Sequence, residues 1–230
     1  NTGRINMEKN LTQGSVLKNI MYFALPYLLS YFLQQLYGMA DLYMIGMFGG
    51  VDGTTAVTNG SQVMYMLTVI IVGLAMGATV MIGKAVGGGK LRDAAAAIGN
   101  TVTLFMGLSV VITAVLLCVA RPVVLLIGTP AEAVEGTVSY LIICFIGIPF
   151  IVAYNIISSI FRGMGDSKSP MFFIGVACVV NVILDYVFMG RMQMGPAGAA
   201  LGTTLAQTVS VVVALFYMKG RKTGTSLKRQ

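Results

Sequence analysis

The sequence predicts an all-α membrane protein with six transmembrane helices in one bundle and both termini in the cytoplasm. Three observations carry this. Hydrophobic residues make up 57% of the chain and charged residues 10%, where a soluble domain carries about 25% charged residues. Six stretches supply the roughly 20 apolar residues that a spanning helix needs. They lie at about 16–44, 54–81, 94–120, 134–161, 171–189 and 197–218. With the N-terminus inside, only Arg121 and Arg191 of the 15 basic residues fall outside, a strong positive-inside bias.

The first stretch carries Pro26, which removes a backbone donor and is expected to bend the helix. Further along it, Gln34, Tyr37 and Asp41 recur at three- and four-residue spacing and so share a face. Gly49-Gly50-Val51-Asp52-Gly53 reads as the loop to the second stretch. Gly87-Gly88-Gly89-Lys90 then reads as a flexible connector. It is no phosphate loop, because it lacks the Gly-Lys-Ser/Thr ending and a preceding strand. The third stretch ends at Arg121-Pro122 and Gly128-Thr129-Pro130. Pro149 lies inside the fourth, where a second bend is expected, and Tyr31 and Tyr154 follow the two prolines at equal spacing. That match is a faint trace of an inverted repeat.

The segment from Arg162 to Pro170 links the fourth and fifth stretches. Its Gly163-Met164-Gly165-Asp166 matches the Gly-x-Gly-Asp pattern of intramembrane aspartyl proteases, but it lies between Arg162 and Lys168 and lacks their second acid and Pro-Ala-Leu signature. Asp166 is expected instead to cap or pin this loop by pairing with those cations. No enzymatic activity is expected.

The fifth stretch places Asn181 and Asp185 one turn apart on one face. An ionised Asp at mid-bilayer costs about 2.5–3.5 kcal/mol on insertion scales, so such residues usually face a bundle interior or a wet cavity. Apart from Glu135 at the very start of the fourth stretch, Asp41 and Asp185 are the only carboxylates in the apolar stretches, and they fall at similar depth toward the outer face. The sixth stretch opens with Gly198-Ala199-Ala200-Leu201-Gly202, small residues that let helices approach closely. Thr203 and Thr204 then bring two hydroxyls to the same depth. Two carboxylates, an amide oxygen and a hydroxyl suit a hard cation such as Na⁺, and equally a shared proton. The alternative is that Asp41 caps or meets solvent at an interface, while Asn181 and Asp185 bond neighbouring backbones.

The remaining features exclude more than they assign. Without His, imidazole chemistry and most zinc sites are ruled out. Cys118, Cys144 and Cys178 lie inside apolar runs and read as small hydrophobes. The 16 Met residues read as filling for the apolar helices. Asn1 to Lys9 holds no apolar region of the signal-peptide kind. The formal charge of +7 and the basic tail at 219–230 fit a membrane stop and contact with anionic lipid rather than nucleic acid.

The combination resembles the N-terminal six-helix lobe of the multidrug and toxic compound extrusion (MATE) family. The residues that carry the resemblance are Leu11-Thr-Gln-Gly-Ser-Val-Leu-Lys-Asn-Ile20, Ala24-Leu-Pro26, Leu33-Gln-Gln-Leu-Tyr37 to Asp41, Phe161 to Pro170, Asn181-x-x-x-Asp185 and Gly198 to Thr203. The resemblance implies an antiporter in the cell (inner or plasma) membrane that exports amphiphilic, often cationic small molecules in exchange for H⁺ or Na⁺, with no other cofactor. It implies a cation site at Asp41, Asn181, Asp185 and Thr203, with Gln34 and Tyr37 nearby, and a first helix that bends at Pro26 on protonation. Thr204 is expected beside that site. Family members carry two six-helix lobes, so this chain is expected to pair with a second copy as a homodimer. The alternatives are a non-transporting lobe that needs a partner chain, and a lipid flippase of the same superfamily.

Overall fold

The computed structural model describes residues 11–227. The Asn1 to Lys9 segment read for a signal peptide, and the basic Lys228 and Arg229, lie outside the described residues. Within them the chain is helical, in the order α1 (Val16–Phe48), α2 (Gly50–Gly87), α3 (Leu91–Leu126), a 3-10 turn (Ala131–Ala133), α4 (Val134–Ile146), α5 (Ile148–Gly163), α6 (Lys168–Asp185), a π segment (Tyr186–Arg191) and α7 (Pro196–Leu227). Among the described residues five helices are long and apolar enough to cross a membrane. The pair Ala131–Ile146 and Ile148–Gly163, bent by 47°, makes a sixth span if it crosses as one.

The helices outrun the apolar windows read from sequence. At 1.5 Å per residue the 33 residues of α1 extend about 50 Å, past the ~30 Å hydrocarbon core. A helix needs no apolar side chains once it leaves that core, so hydropathy marks the crossing and not the helix end. The five-residue loop expected at Gly49–Gly53 is a correction of the same kind. Gly50 adopts φ +66, a left-handed turn open to glycine, so one residue reverses the chain. Asp52 and Gly53 then join the first turn of α2.

The two prolines behave differently. Pro149 sits in the first turn of α5 just after the break at Gly147, where its missing N–H is no loss. Pro26 lies within α1, which runs unbroken past it, and the Ser30 hydroxyl donates to its carbonyl oxygen at 2.9 Å. In the α5–α6 loop Asp166 acts as the helix cap. Its Oδ1 accepts from the backbone N–H groups of Lys168 and Ser169, both at 3.1 Å, and its Oδ2 from the Ser169 hydroxyl at 2.6 Å. Asp166→Ala is expected to cost about 1 kcal/mol, read as a lower melting temperature in detergent; an unchanged value would contradict the capping role.

α1 packs between α6 and α2, α7 fills the space between α6 and α4, and α2 and α3 close the other side over α5. One core joins α2 to α5, with Leu141, Phe145 and Ile148 fully buried. A second joins α5, α6 and α7 around Phe161, Phe173 and Ile174, with Leu33 and Tyr37 of α1 packed against it. The small residues Ala199, Ala200 and Gly202 bring α7 against α6 and the π segment. The two predicted acids meet at that seam.

Candidate functional site

Asp41 on α1, Asn181 and Asp185 on α6 and Thr203 on α7 converge in the bundle interior. Asn181 and Asp185 are fully buried, and Asp41 is 4% exposed. The Asn181 amide donates to Asp41 Oδ1 at 3.1 Å, and the Thr203 hydroxyl donates to Asp41 Oδ2 at 2.8 Å. The same Asn181 nitrogen lies 3.4 Å from Thr203 Oγ1. Asp41 is therefore held on both oxygens from two other helices. It sits within α1, well short of Phe48, so it is no helix cap.

Asp185 is placed differently. Its carboxyl faces that of Asp41 at interacting range, yet neither oxygen receives a donor, and Asn181 Oδ1 is also unpartnered. Among the described residues neither acid forms an ion pair with a basic side chain. A buried charge without a partner costs far more than a neutral polar group left alone, so this oxygen-rich spot favours a proton or a small cation. Among the described residues no group of three or more His, Cys, Asp or Glu gathers, which disfavours a divalent cage of several carboxylates.

Gly202 explains how the Asp185 carboxyl fits. A Cβ built there would collide with Asp185 Oδ1, and its next nearest atom is the Asp185 backbone nitrogen at 3.5 Å. Only glycine leaves room for the acid against the α7 backbone.

Beside the cluster lies a cavity of about 280 Å³ walled by α1, α2, α4 and α7, with Ile151 of α5 at its edge. Asp41 and Thr203 line it, whereas Asn181 and Asp185 do not. Asp41 is thus the shared wall between cavity and buried acid. Of the other sequence-predicted residues, Gln34, Tyr37 and Thr204 all face this cavity. Thr204 packs against Gly147 at the α4–α5 break, where an added Cβ would sit 2.7 Å from its methyl group. Pro26 is not part of the cavity wall; it lies buried lower on α1.

Sequence reasoning missed Gln207, Tyr140 and Ser61. The Gln207 amide donates to the Tyr37 hydroxyl at 3.0 Å, and its own carbonyl oxygen is buried without a donor. One turn beyond Thr203 on the same face, Gln207 was available to the spacing argument. Tyr140 and Ser61 place their hydroxyl oxygens 3.3 Å apart across α4 and α2. A lone Tyr in an apolar run carries no signal of its own. What seats it is Gly60, where a Cβ would strike the Tyr140 ring.

The MatE family model matches residues 26–187. A probable multidrug resistance protein of Bacillus subtilis, YpnP, is 33% identical over 209 residues, covering 91% of this chain and 47% of the relative. A second from the same organism, YoeA, is 28% identical over 92% of this chain and 46% of its own length. Among solved structures, an outward-facing multidrug resistance MATE family transporter of the MOP superfamily superposes with a TM-score of 0.87 at 24% identity, over 94% of this chain and 48% of that one. The chain spans about half the length of the relatives it matches. The family match runs from Pro26 past Asp185 and so takes in three of the four clustered residues; this chain belongs to the MatE family.

Proposed function

We propose that this chain is a lobe of a secondary active exporter in the cell membrane that exchanges amphiphilic, often cationic compounds for H⁺ or Na⁺. Asp41, Asn181, Asp185 and Thr203 form the coupling site. The observation that carries this is the double exposure of Asp41, which lines the cavity and also faces the donor-free Asp185. A cationic compound in the cavity and a proton or Na⁺ on the acid pair compete for the same negative charge. Binding of the small cation neutralises the pair, weakens the hold on the cargo and lets α1 rearrange about Pro26. One charge crossing 100 mV supplies about 2.3 kcal/mol, which sustains a gradient of about fiftyfold.

A second lobe completes the device, and a second copy of this chain is the proposed partner. Gln35, in the middle of α1, lines the cavity and is exposed, and Gln62 is exposed on α2 next to the lining residue Ser61. Polar side chains at that depth are costly against lipid tails, so this face is expected to be covered. With six spans both termini share one side, the cytoplasm by the positive-inside bias. Two copies then insert in parallel about a two-fold axis along the membrane normal. Flippase activity is disfavoured, because the cavity's embedded charge is acidic and would repel an anionic headgroup.

The test is export of a fluorescent organic cation from liposomes containing only this chain, driven by an imposed H⁺ or Na⁺ gradient. Disulfide capture of Gln62→Cys protomers across the interface accompanies it. Gradient-driven flux with cross-linked dimers is expected. Dimers that show no flux would refute the exporter assignment, and monomers alone would refute self-pairing.

A further inference from the structure

We propose that the end of the bundle where α1 begins carries a binding site for the phosphate of an anionic lipid, built by Arg162 and Lys168 against tyrosines of α1. The site is separate from the acid cluster and does not depend on what the cavity transports. The Arg162 guanidinium lies 4.3 Å from the centroid of the Tyr27 ring, and the Lys168 ammonium 4.6 Å from that of Tyr22. These two aromatic partners flank Pro26, so the α5–α6 loop grips α1 on both sides of it.

Neither cation pairs with a carboxylate within 4 Å among the described residues. Among the described residues the one carboxylate–cation pair within 4 Å is Arg121 with Glu135, far along the chain from this loop. Arg162 is half-buried, and its Nε is enclosed with no acceptor. Its other electrostatic neighbours are tyrosines, Tyr31 and Tyr154. Asp166, between them in the chain, turns its oxygens to the start of α6 and the Ser169 hydroxyl, so the oriented guanidinium and ammonium keep positive charge to offer a ligand. A guanidinium offers a planar fork of donors that matches phosphate oxygens, and tyrosines favour the headgroup level of a bilayer.

The surroundings favour a lipid over a free anion. Leu25 and Leu29 follow Tyr22 on the same face of α1, 63% and 45% exposed. Phe172, 57% exposed, stands one turn beyond Lys168 on α6. These apolar stripes lead from the two cations into the membrane, where acyl chains lie. An inorganic phosphate would leave them unused.

The test is a titration of the purified full chain with phosphatidylglycerol or phosphatidylcholine in mild detergent, read by native mass spectrometry. Phosphatidylglycerol is expected to bind in preference. Arg162→Gln and Lys168→Gln each weaken its binding roughly fivefold, and the double variant about thirtyfold, with phosphatidylcholine unaffected. Arg162→Lys retains most of the binding. If the Arg162→Gln variants fail to fold, Lys168→Gln carries the test alone, because its side chain is exposed. Equal affinity for both lipids in the parent chain, or unchanged phosphatidylglycerol binding in Lys168→Gln, would overturn the site. Inorganic phosphate that displaces phosphatidylglycerol at equal concentration would overturn its assignment to a lipid.

Discussion

Asp185→Asn is expected to abolish cation-driven export, and Asp41→Asn to do the same, while both variants still insert and fold. Each substitution keeps shape and removes one of the two charges that a proton or Na⁺ must neutralise. Ligand charge count tunes the affinity of a hard-cation site, so losing one of two carboxylates is expected to remove coupling at ordinary gradients. The two variants part company in stability. Asp41 accepts hydrogen bonds from Asn181 and Thr203. An amide in its place turns donors toward one of them and forfeits about 1.5–3 kcal/mol. Asp185 takes no donor from any other residue and meets the Asp41 carboxyl at hydrogen-bonding range, a contact that an amide N–H in its place keeps by donating to Asp41. Thermal melting in detergent should therefore fall for Asp41→Asn and hold or rise for Asp185→Asn. Drug resistance at the parent level in cells expressing both variants would refute the assignment.

Gly202→Ala is expected to disable coupling without replacing a charged residue. The added methyl group has no room against Asp185 Oδ1, and α7 is held close to α6 by Ala199 and Ala200, both fully buried. Either the carboxyl rotates away from Asp41 or the helices separate, and overpacking of this kind costs about 1–3 kcal/mol. The expected signature is a lower melting temperature together with lost gradient-driven export. Gly198→Ala is the control, since its Cβ would meet the side chains of Met194 and Phe188 at 3.0 and 3.2 Å, away from the acids. A Gly202→Ala variant that exports as the parent does would show that Asp185 needs no such fit.

Much of this was legible in the sequence because membranes make polar residues conspicuous. Asn181 and Asp185 stand out in an apolar run, the spacing of Gln34, Tyr37 and Asp41 fixes their common face, and the small residues before Thr203 foretell a close helix contact. The structure brings these residues together and sets Thr204 beside them at the cavity. What stayed hidden depends on three-dimensional fit. Tyr140 becomes a cavity residue through a void above Gly60 on another helix. The break at Gly147 decides where Thr204 packs, and no local pattern announces a 47° bend rather than a straight span. Hydropathy also misplaced helix ends, because Gly50 turns the chain in one residue where the run of glycines read as a loop.

The central claim is that the acid cluster carries the driving ion. The most direct measurement follows substrate flux and H⁺ or Na⁺ flux together in liposomes reconstituted with the chain, parent against Asp185→Asn. A fixed ratio of cation to substrate is predicted for the parent. In Asp185→Asn the cation flux should vanish while the substrate still binds. An Asp185→Asn variant that moves cation and substrate in the parent's ratio would contradict the account.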